Sequence, residues 1–275
     1  MKTLKEAMET FGGRNGIFVY KRMERMGIVT WDDCTSANIN EWLADVKATT
    51  APTTAKLYAA VLRAVLSRYV PDGVVPSPEV LDRLNVRAER SQKVYLTPNE
   101  LAALEAVVPR TKKQRYTQLA FLISAKTGMR ISDTQRVTRE NVKNGYLTYV
   151  SQKTNKEAKV PVGEKVLGWI DEINKIKNPP NLANFELGIK GLCEQAGITE
   201  PVKVFKAGEE KVEAKWKFVS SHTARVTFCT VMSQKGVPIM DICTMAGHST
   251  PVMTERYIIR TAPVLNDDAM KFITE

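Results

Sequence analysis

The two histidines of the chain lie in the same stretch, each with an arginine or a tyrosine a short distance away in sequence. His222 and Arg225 are three residues apart, so a helix would place them on one face. Gly247 and His248 follow, and Tyr257 comes nine residues after that second histidine. Guanidinium groups bind phosphate oxygens well, and a phenol can act as a nucleophile. These residues therefore suggest a site for a phosphate-like group beside a reactive tyrosine.

A further arginine lies in the stretch Thr-Gly-Met-Arg-Ile-Ser-Asp, residues 127–133. Gly128 is typical of the position just after a helix, because glycine readily adopts the left-handed conformation that this position requires. The next short helix is expected to start at Ser132 or Asp133. Arg130 would thus be held in a turn between two helices, where its guanidinium can be aimed at a ligand.

A lysine follows in a predicted β-hairpin. The β-type runs 146–150 and 158–162 flank a polar turn, which is the usual signal for such a hairpin. Lys153 lies at the near edge of this turn. A second hairpin is expected from the runs 202–205 and 211–218, and most of the remaining chain of this region has helical periodicity.

The amino-terminal part of the chain is predicted to be helical. Thr30 is expected to cap one helix, and the next helix is expected to start at Thr53. Lys56, Arg63 and Arg68 of this second helix could face the phosphates of a nucleic acid. Basic residues on a helix more often form a solvated face, so both interpretations stay open.

A polar and basic stretch divides the chain into two predicted domains. Residues 86–94 look like a linker between a helical domain, 1–85, and a second domain, 95–275. The second domain opens on a capping box, in which Thr97 caps a helix and Glu100 returns a hydrogen bond to it.

The formal net charge is +10, and the isoelectric point is about 9.4. Residues 1–90 hold 13 basic and 11 acidic residues, whereas residues 91–275 hold 27 and 19. The excess of basic over acidic residues therefore lies mostly in residues 91–275, which contain the candidate site. A basic surface favours a polyanion through counterion release, although it could also serve only to keep the protein in solution.

Composition argues against several other classes of protein. No apolar run approaches the roughly 18 residues of a membrane span, and the amino terminus shows no secretory signal. The cysteines lack the spacing of a metal site and are typical of buried thiols in a reducing compartment, so we expect a cytoplasmic protein without membrane association. They are Cys34, Cys193, Cys229 and Cys243.

Five motifs together resemble a known family. T-G-M-R-I-S-D, a lysine at a hairpin turn, H-T-A-R, G-H-S-T and E-R-Y occur in the order and approximate spacing of the tyrosine recombinases, the phage integrase family. The resemblance covers residues 95–262, and the amino-terminal helices look like that family's core-binding domain. It implies a mainly α fold with small β-hairpins, in which a helical, SAM-like core-binding domain and a mixed α/β catalytic domain form a C-shaped clamp on DNA.

The resemblance also implies a role for each candidate residue of the site. Tyr257 would attack a DNA phosphate and form a 3′-phosphotyrosyl link. Arg130 and Arg225 would bind the non-bridging oxygens of that phosphate, and His248 would add a hydrogen bond. Lys153 would protonate the departing 5′-hydroxyl.

Two further residues complete the implied set. His222 would act as a general base or proton store, and Asp133 would orient its neighbours without reacting. No metal, cofactor or ATP is expected, because positioned cations can stabilise the charged transition state and the covalent link keeps the bond energy. Additional phosphate contacts are expected at Lys112, Lys113 and Arg115.

Purely structural interpretations exist for the same residues. Tyr257 could be a half-buried packing residue, and Arg130 and Arg225 could form ordinary salt bridges. Lysines are common in hairpins, and Lys156 and Lys159 lie close to the candidate in sequence. The motifs in combination, rather than any residue alone, favour the catalytic interpretation.

The expected function is site-specific DNA recombination by a homotetramer on two duplexes with inverted-repeat sites, for integration, excision or resolution. The tail 263–275 would be exchanged between protomers, and directionality or DNA-bending proteins could assist. One alternative is a type IB topoisomerase, which usually has lysine where His222 stands. The other is a catalytically silent DNA-binding accessory factor.

Overall fold

The computed structural model describes residues 2–69, 78–87, 93–206 and 209–260. The chain divides into two compact units, Met1–Ser91 and Gln92–Glu275. The division falls within the stretch that was predicted to be a linker. Within the described ranges, no helix is both long and apolar enough to cross a membrane.

The described part of the first unit is helical. Thr3 caps the first helix in a capping box, and this helix bends at Gly13, where φ is 52°. Apolar residues of the helices, such as Met8, Trp42 and Leu62, are fully buried in one core. The helices are α1 (Leu4–Arg25), α2 (Ser36–Thr49), α3 (Pro52–Tyr69) and α4 (Pro78–Arg83).

The prediction that Thr30 caps a helix was wrong, because Thr35 caps α2 instead. The Asp33 carboxylate accepts hydrogen bonds from the backbone N–H groups of Val29 and Thr30 and from the Thr30 hydroxyl, at 2.8 to 3.0 Å. These bonds close a turn at the place where a helix start was expected, and the helix begins only after Thr35.

The second unit is mixed, with helices around two small antiparallel sheets. One sheet has the strand order β1-β2-β3, and the other pairs β4 with β5. The helices are α5 (Pro98–Ala106), α6 (Lys112–Thr127), α7 (Ile131–Thr134), α8 (Glu164–Lys175), α9 (Leu182–Gln195), α10 (Ser221–Gln234), α11 (Ile239–Ala246) and α12 (Pro251–Glu255). The strands are β1 (Val142–Lys143), β2 (Tyr146–Val150), β3 (Glu157–Pro161), β4 (Pro201–Lys206) and β5 (Glu209–Ala214).

Helix α6 is the centre of this unit. Residues 116–125 of it are all buried, and the helix packs against α8, α9 and α10. The predicted capping box at Thr97 and Glu100 is confirmed at the start of α5, and Gly128 ends α6 with a φ of 71°. The predicted fold class, mainly α with small β-hairpins, is thereby confirmed.

The second predicted hairpin forms, but its second strand is shorter than expected. Strand β5 ends at Ala214, and residues 215–218 form a 3₁₀ turn. The Lys215 ammonium lies within 2.8 Å of the Glu100 carboxylate and 2.9 Å of the Glu200 carboxylate, and the side chain is almost completely buried. The strand thus ends next to the residue that these two ion pairs hold.

All four cysteines are free and buried. Burial is the largest cause that raises the pKa of three of these thiols, to about 12 in each case. The three are Cys34, Cys193 and Cys229.

Candidate functional site

The two arginine segments of the motifs are joined at the end of α6. A Cβ atom added to Gly128 would lie 2.6 Å from the ring of Phe228, so only glycine lets this turn approach α10 so closely. The Arg225 guanidinium, which α10 carries, donates a hydrogen bond to the Gly128 carbonyl. Arg130 follows two residues later as the residue that precedes α7. The left-handed turn therefore brings the two guanidinium groups together.

Arg225 is 1% exposed, which is unusual for a residue that keeps its charge. Its Nε and Nη2 atoms have no partner with hydrogen-bond geometry among the described residues, and the Tyr149 hydroxyl lies near the guanidinium without meeting that geometry. Burial is the largest cause that lowers its pKa, followed by the charge of Arg130. A buried cation with two unused donors and a second cation beside it forms a site that favours an anion.

Tyr257 lies directly beside this cation. The centre of its ring is 5.4 Å from the Arg225 guanidinium carbon, 4.8 Å from the centre of the His248 ring and 6.4 Å from the centre of the His222 ring. The tyrosine follows α12 by two residues and is half-buried. Thr230 holds this segment, because its hydroxyl accepts a hydrogen bond from the Ile259 N–H at 3.0 Å.

His248 is buried and is fixed through one ring nitrogen. Its Nδ1 atom lies 2.9 Å from the Thr254 hydroxyl, whereas its buried Nε2 atom has no partner among the described residues. Burial, and then the charges of Arg225 and Arg130, lower the pKa of His248 to about 3. The imidazole is therefore neutral at physiological pH and has one nitrogen free to contact a ligand.

His222 is more exposed than His248 and stands among the other cations. Partial burial is the largest cause that lowers its pKa, followed by the charges of Arg225 and Lys153, while Glu186 opposes the shift. Glu186 also accepts hydrogen bonds from the Ser221 N–H and hydroxyl, which ties it to the start of α10.

The predicted lysine lies in the turn between β2 and β3, and its charge lowers the pKa of His222. Lys153 is exposed, and its charge reaches the His222 ring. Lys159 instead lies over the ring of Tyr146, with its ammonium 4.8 Å from the ring centre. The electrostatic contact with His222 therefore distinguishes Lys153 from this neighbour.

Asp133 connects the first arginine to the hairpin. It is 1% exposed, and its carboxylate accepts a hydrogen bond from the Ser151 hydroxyl at 3.1 Å. The same hydroxyl accepts a hydrogen bond from the Arg130 guanidinium. Asp133 also accepts from the backbone N–H of Gln152 at 3.3 Å and lies 3.7 Å from the Arg136 guanidinium.

Sequence reasoning missed two residues of this cluster. Burial raises the pKa of Tyr149 to about 12, and the nearby Arg225 charge opposes that shift. The Lys93 ammonium lies 5.6 Å from the centre of the Tyr257 ring and donates a hydrogen bond to the Arg256 carbonyl. Alternation along β2 could have indicated that Tyr149 points inward, but no local pattern links Lys93 to a residue 163 positions away.

The other predicted phosphate contacts are on α3 of the first unit and at the start of α6 of the second unit. In the first unit, Lys56 and Arg63 line one shallow groove, whereas the Arg68 guanidinium lies 5.0 Å from the centre of the Phe11 ring. In the second unit, Arg115 is held by an ion pair with Glu172 at 2.6 Å. Lys112 and Lys113 are exposed at the start of α6.

Comparison with known proteins identifies the family. Residues 94–262, more than half of the chain, match the model of the Phage integrase family. The chain belongs to the phage integrase family of tyrosine recombinases. A stretch of 192 residues is 25% identical to the tyrosine recombinase XerA of Pyrococcus furiosus, and it covers 69% of this chain and 65% of that relative. The chain thus spans just under two thirds of the curated relative that it matches.

Solved structures of integrases share the fold of this family member. The Tn1549 transposon integrase in complex with a circular intermediate DNA matches with a TM-score of 0.69 at 16% identity, over 100% of this chain and 99% of that chain. A lambda integrase tetramer bound to a Holliday junction matches with a TM-score of 0.65 at 14% identity, over 96% and 80%. At these identities the likeness concerns the fold alone.

Proposed function

We propose that this chain is a site-specific recombinase that cleaves and rejoins duplex DNA through a covalent 3′-phosphotyrosyl intermediate at Tyr257. The observation that carries the proposal is the buried Arg225 guanidinium with two unused donors, beside the tyrosine ring and the unused Nε2 of His248. Leaving such donors buried without partners costs about 1 to 3 kcal/mol each, and a bound phosphate would satisfy them.

The proposed cleavage step transfers the phosphoryl group from the 5′ oxygen of the DNA to the oxygen of Tyr257. The Tyr257 oxygen attacks the phosphorus and its proton passes to His222, while the bond from phosphorus to the 5′ oxygen breaks and Lys153 supplies a proton to that oxygen. Rejoining is the reverse, because a 5′-hydroxyl attacks the phosphotyrosine and releases the phenol. The energy of the phosphodiester is kept in the covalent link, so no nucleotide cofactor enters the balance.

Charge stabilisation in the proposed reaction comes from positioned donors. Arg130 and Arg225 hold the oxygens on which negative charge develops, and pre-oriented donors of this kind supply much of the rate enhancement in phosphoryl transfer. His248 contributes a hydrogen bond rather than a charge, because its depressed pKa keeps it neutral. In the tautomer whose Nδ1 accepts from the Thr254 hydroxyl, the neutral ring carries its proton on Nε2 and can donate it to the phosphate.

The proposed substrate is duplex DNA with an inverted-repeat core site, bound by a homotetramer on two duplexes. The tail 263–275, which lies outside the described residues, would be exchanged between protomers. The lambda integrase in the matching structure is a tetramer on a Holliday junction, and this supports the expected assembly by analogy. Proteins that bend DNA or set the direction of recombination are further proposed partners.

A covalent trapping experiment tests the proposed function. Duplex DNA is first selected from a random pool by binding to the Tyr257→Phe protein, and a nick is then placed beside each phosphate in turn. These duplexes are incubated with the wild-type protein and with Tyr257→Phe in the presence of a chelator. A covalent protein–DNA band with the wild type alone is the expected result.

Two results would overturn the proposal. Tight binding of the selected DNA without any covalent band would leave only the accessory-factor function. A band that persists in Tyr257→Phe would mean that another residue is the nucleophile.

A further inference from the structure

The hydroxyl group of Ser151 is placed between two parts of the candidate site. The residue is 0% exposed and comes directly after β2, at the start of the turn that carries Lys153. Its oxygen accepts a hydrogen bond from the Arg130 guanidinium and donates one to the Asp133 carboxylate at 3.1 Å. A hydroxyl can do both at once, because it has one proton and two lone pairs.

The backbone of Ser151 also holds the turn in shape. Its N–H donates to the Lys156 carbonyl at 2.9 Å, and its carbonyl accepts from the Asn155 N–H at 2.8 Å. The next residue, Gln152, donates its N–H to Asp133 at 3.3 Å. The turn is therefore closed on itself and anchored to the same buried carboxylate that orients the Ser151 hydroxyl.

We propose that Ser151 is a positioning residue that couples the phosphate-binding Arg130 to the leaving-group acid Lys153. This inference rests on the proposed function and adds to it a residue that contacts neither the DNA nor the nucleophile. The Ser151 hydroxyl fixes the direction of one guanidinium group, and the shared carboxylate of Asp133 fixes the turn from which the lysine reaches the 5′ oxygen.

A change of the leaving group separates the effect of Ser151 on Arg130 from its effect on Lys153. Replacing the bridging 5′ oxygen of the scissile phosphate by sulfur gives a leaving group that departs as an anion and needs no proton. A defect in the position of Lys153 disappears on such a substrate, whereas a defect in the position of Arg130 persists on both substrates. A general loss of folded protein lowers both rates equally.

The experiment measures cleavage rates on the nicked duplex with oxygen or with sulfur at that position. Ser151→Ala is expected to slow cleavage of the oxygen substrate by roughly 10- to 100-fold, because a misplacement of about 1 Å costs about that much. On the sulfur substrate, Ser151→Ala should regain part of the lost cleavage rate. Lys153→Ala is the control whose cleavage rate the sulfur substrate should restore, and Arg130→Ala is the control whose rate it should not restore. Ser151→Thr keeps the hydroxyl and should regain most of the cleavage rate on the oxygen substrate.

The outcomes distinguish the inference from the function on which it rests. The coupling to Lys153 would be overturned if Ser151→Ala slowed cleavage by the same factor on both substrates, or did not slow it at all. The proposed function would survive either result, because the wild type would still form its covalent complex. If Ser151→Ala does not fold, Asp133→Asn carries the test, since it weakens the same link without a change in volume, and the same two results would contradict the coupling. Failure of the wild type to cleave either substrate would instead remove the proposed function.

Discussion

Replacing Arg225 by methionine is expected to stabilise the second unit while it destroys cleavage. The guanidinium is 1% exposed and makes one described hydrogen bond, to the Gly128 carbonyl. Burying an ion costs several kcal/mol, and losing that single bond costs about 1 to 3 kcal/mol. The difference favours the Arg225→Met variant by about 1 to 3 kcal/mol, or roughly 2 to 10 °C in the Tm of a unit of this size.

The same change should lower the rate of covalent complex formation by about 10³- to 10⁵-fold, as removal of an arginine from phosphoryl transfer typically does. Thermal unfolding and trapping on a nicked duplex measure the two effects on one preparation. Arg139→Met is the matched control, since that arginine is exposed and pairs with Glu164 and Asp171 at the surface. Its loss should hardly change the stability, because exposed ion pairs are screened by water, and it should leave cleavage unchanged.

The opposite sign of the stability change would refute the reasoning. If Arg225→Met lowered the free energy of unfolding by more than the control does, the buried charge would already be compensated in the free protein. The unused donors would then not indicate a waiting anion site, even if cleavage were lost.

Three further results are expected from the same features. Inorganic phosphate at a hundredfold excess over its Kd should raise the stability of the wild type by about 2.7 kcal/mol and leave Arg225→Met unchanged, as measured by thermal unfolding. The pKa of His248 is depressed to about 3, so the unfolded chain binds its proton first as the pH falls below about 6.5. Stability should therefore fall by about 2 kcal/mol between pH 6.5 and 5, less so in His248→Gln, and an equal fall in both proteins would contradict this. Lys215→Met should cost about 1 to 3 kcal/mol by chemical denaturation, because it leaves the mostly buried Glu100 carboxylate without its cation while the exposed Glu200 carboxylate is solvated, and a neutral effect would contradict that.

Local signals in the sequence predicted much of the fold. The capping box at Thr97, the left-handed Gly128 and the hairpin around Lys153 all depend on residues a few positions apart, and each is present. The two wrong predictions, for the Thr30 cap and for the end of the second hairpin, concern places where other contacts determine the structure. Thr30 lies instead in a turn that the Asp33 carboxylate closes, and the strand that was expected to reach residue 218 stops at Ala214, next to the ion pairs of Lys215.

The residue types of the candidate site could be predicted from the motifs, but the links between them could not. His222, Arg225, His248 and Tyr257 are brought together by the structure as the spacing suggested. Ser151 looked like an ordinary turn residue, because its partners Arg130 and Asp133 are 21 and 18 positions away. Contacts of this range depend on the packing of the whole unit, for which a single sequence gives no direct signal.

The burial of all four thiols makes this protein well suited to single-site labelling. A buried thiol reacts slowly with maleimides, and the four cysteines of the chain are all buried. Val108, which is 82% exposed in the loop before α6, offers a position for one added cysteine. A dye attached to Val108→Cys would report binding of the protein to DNA in a microscope, without removal of any native cysteine from the core.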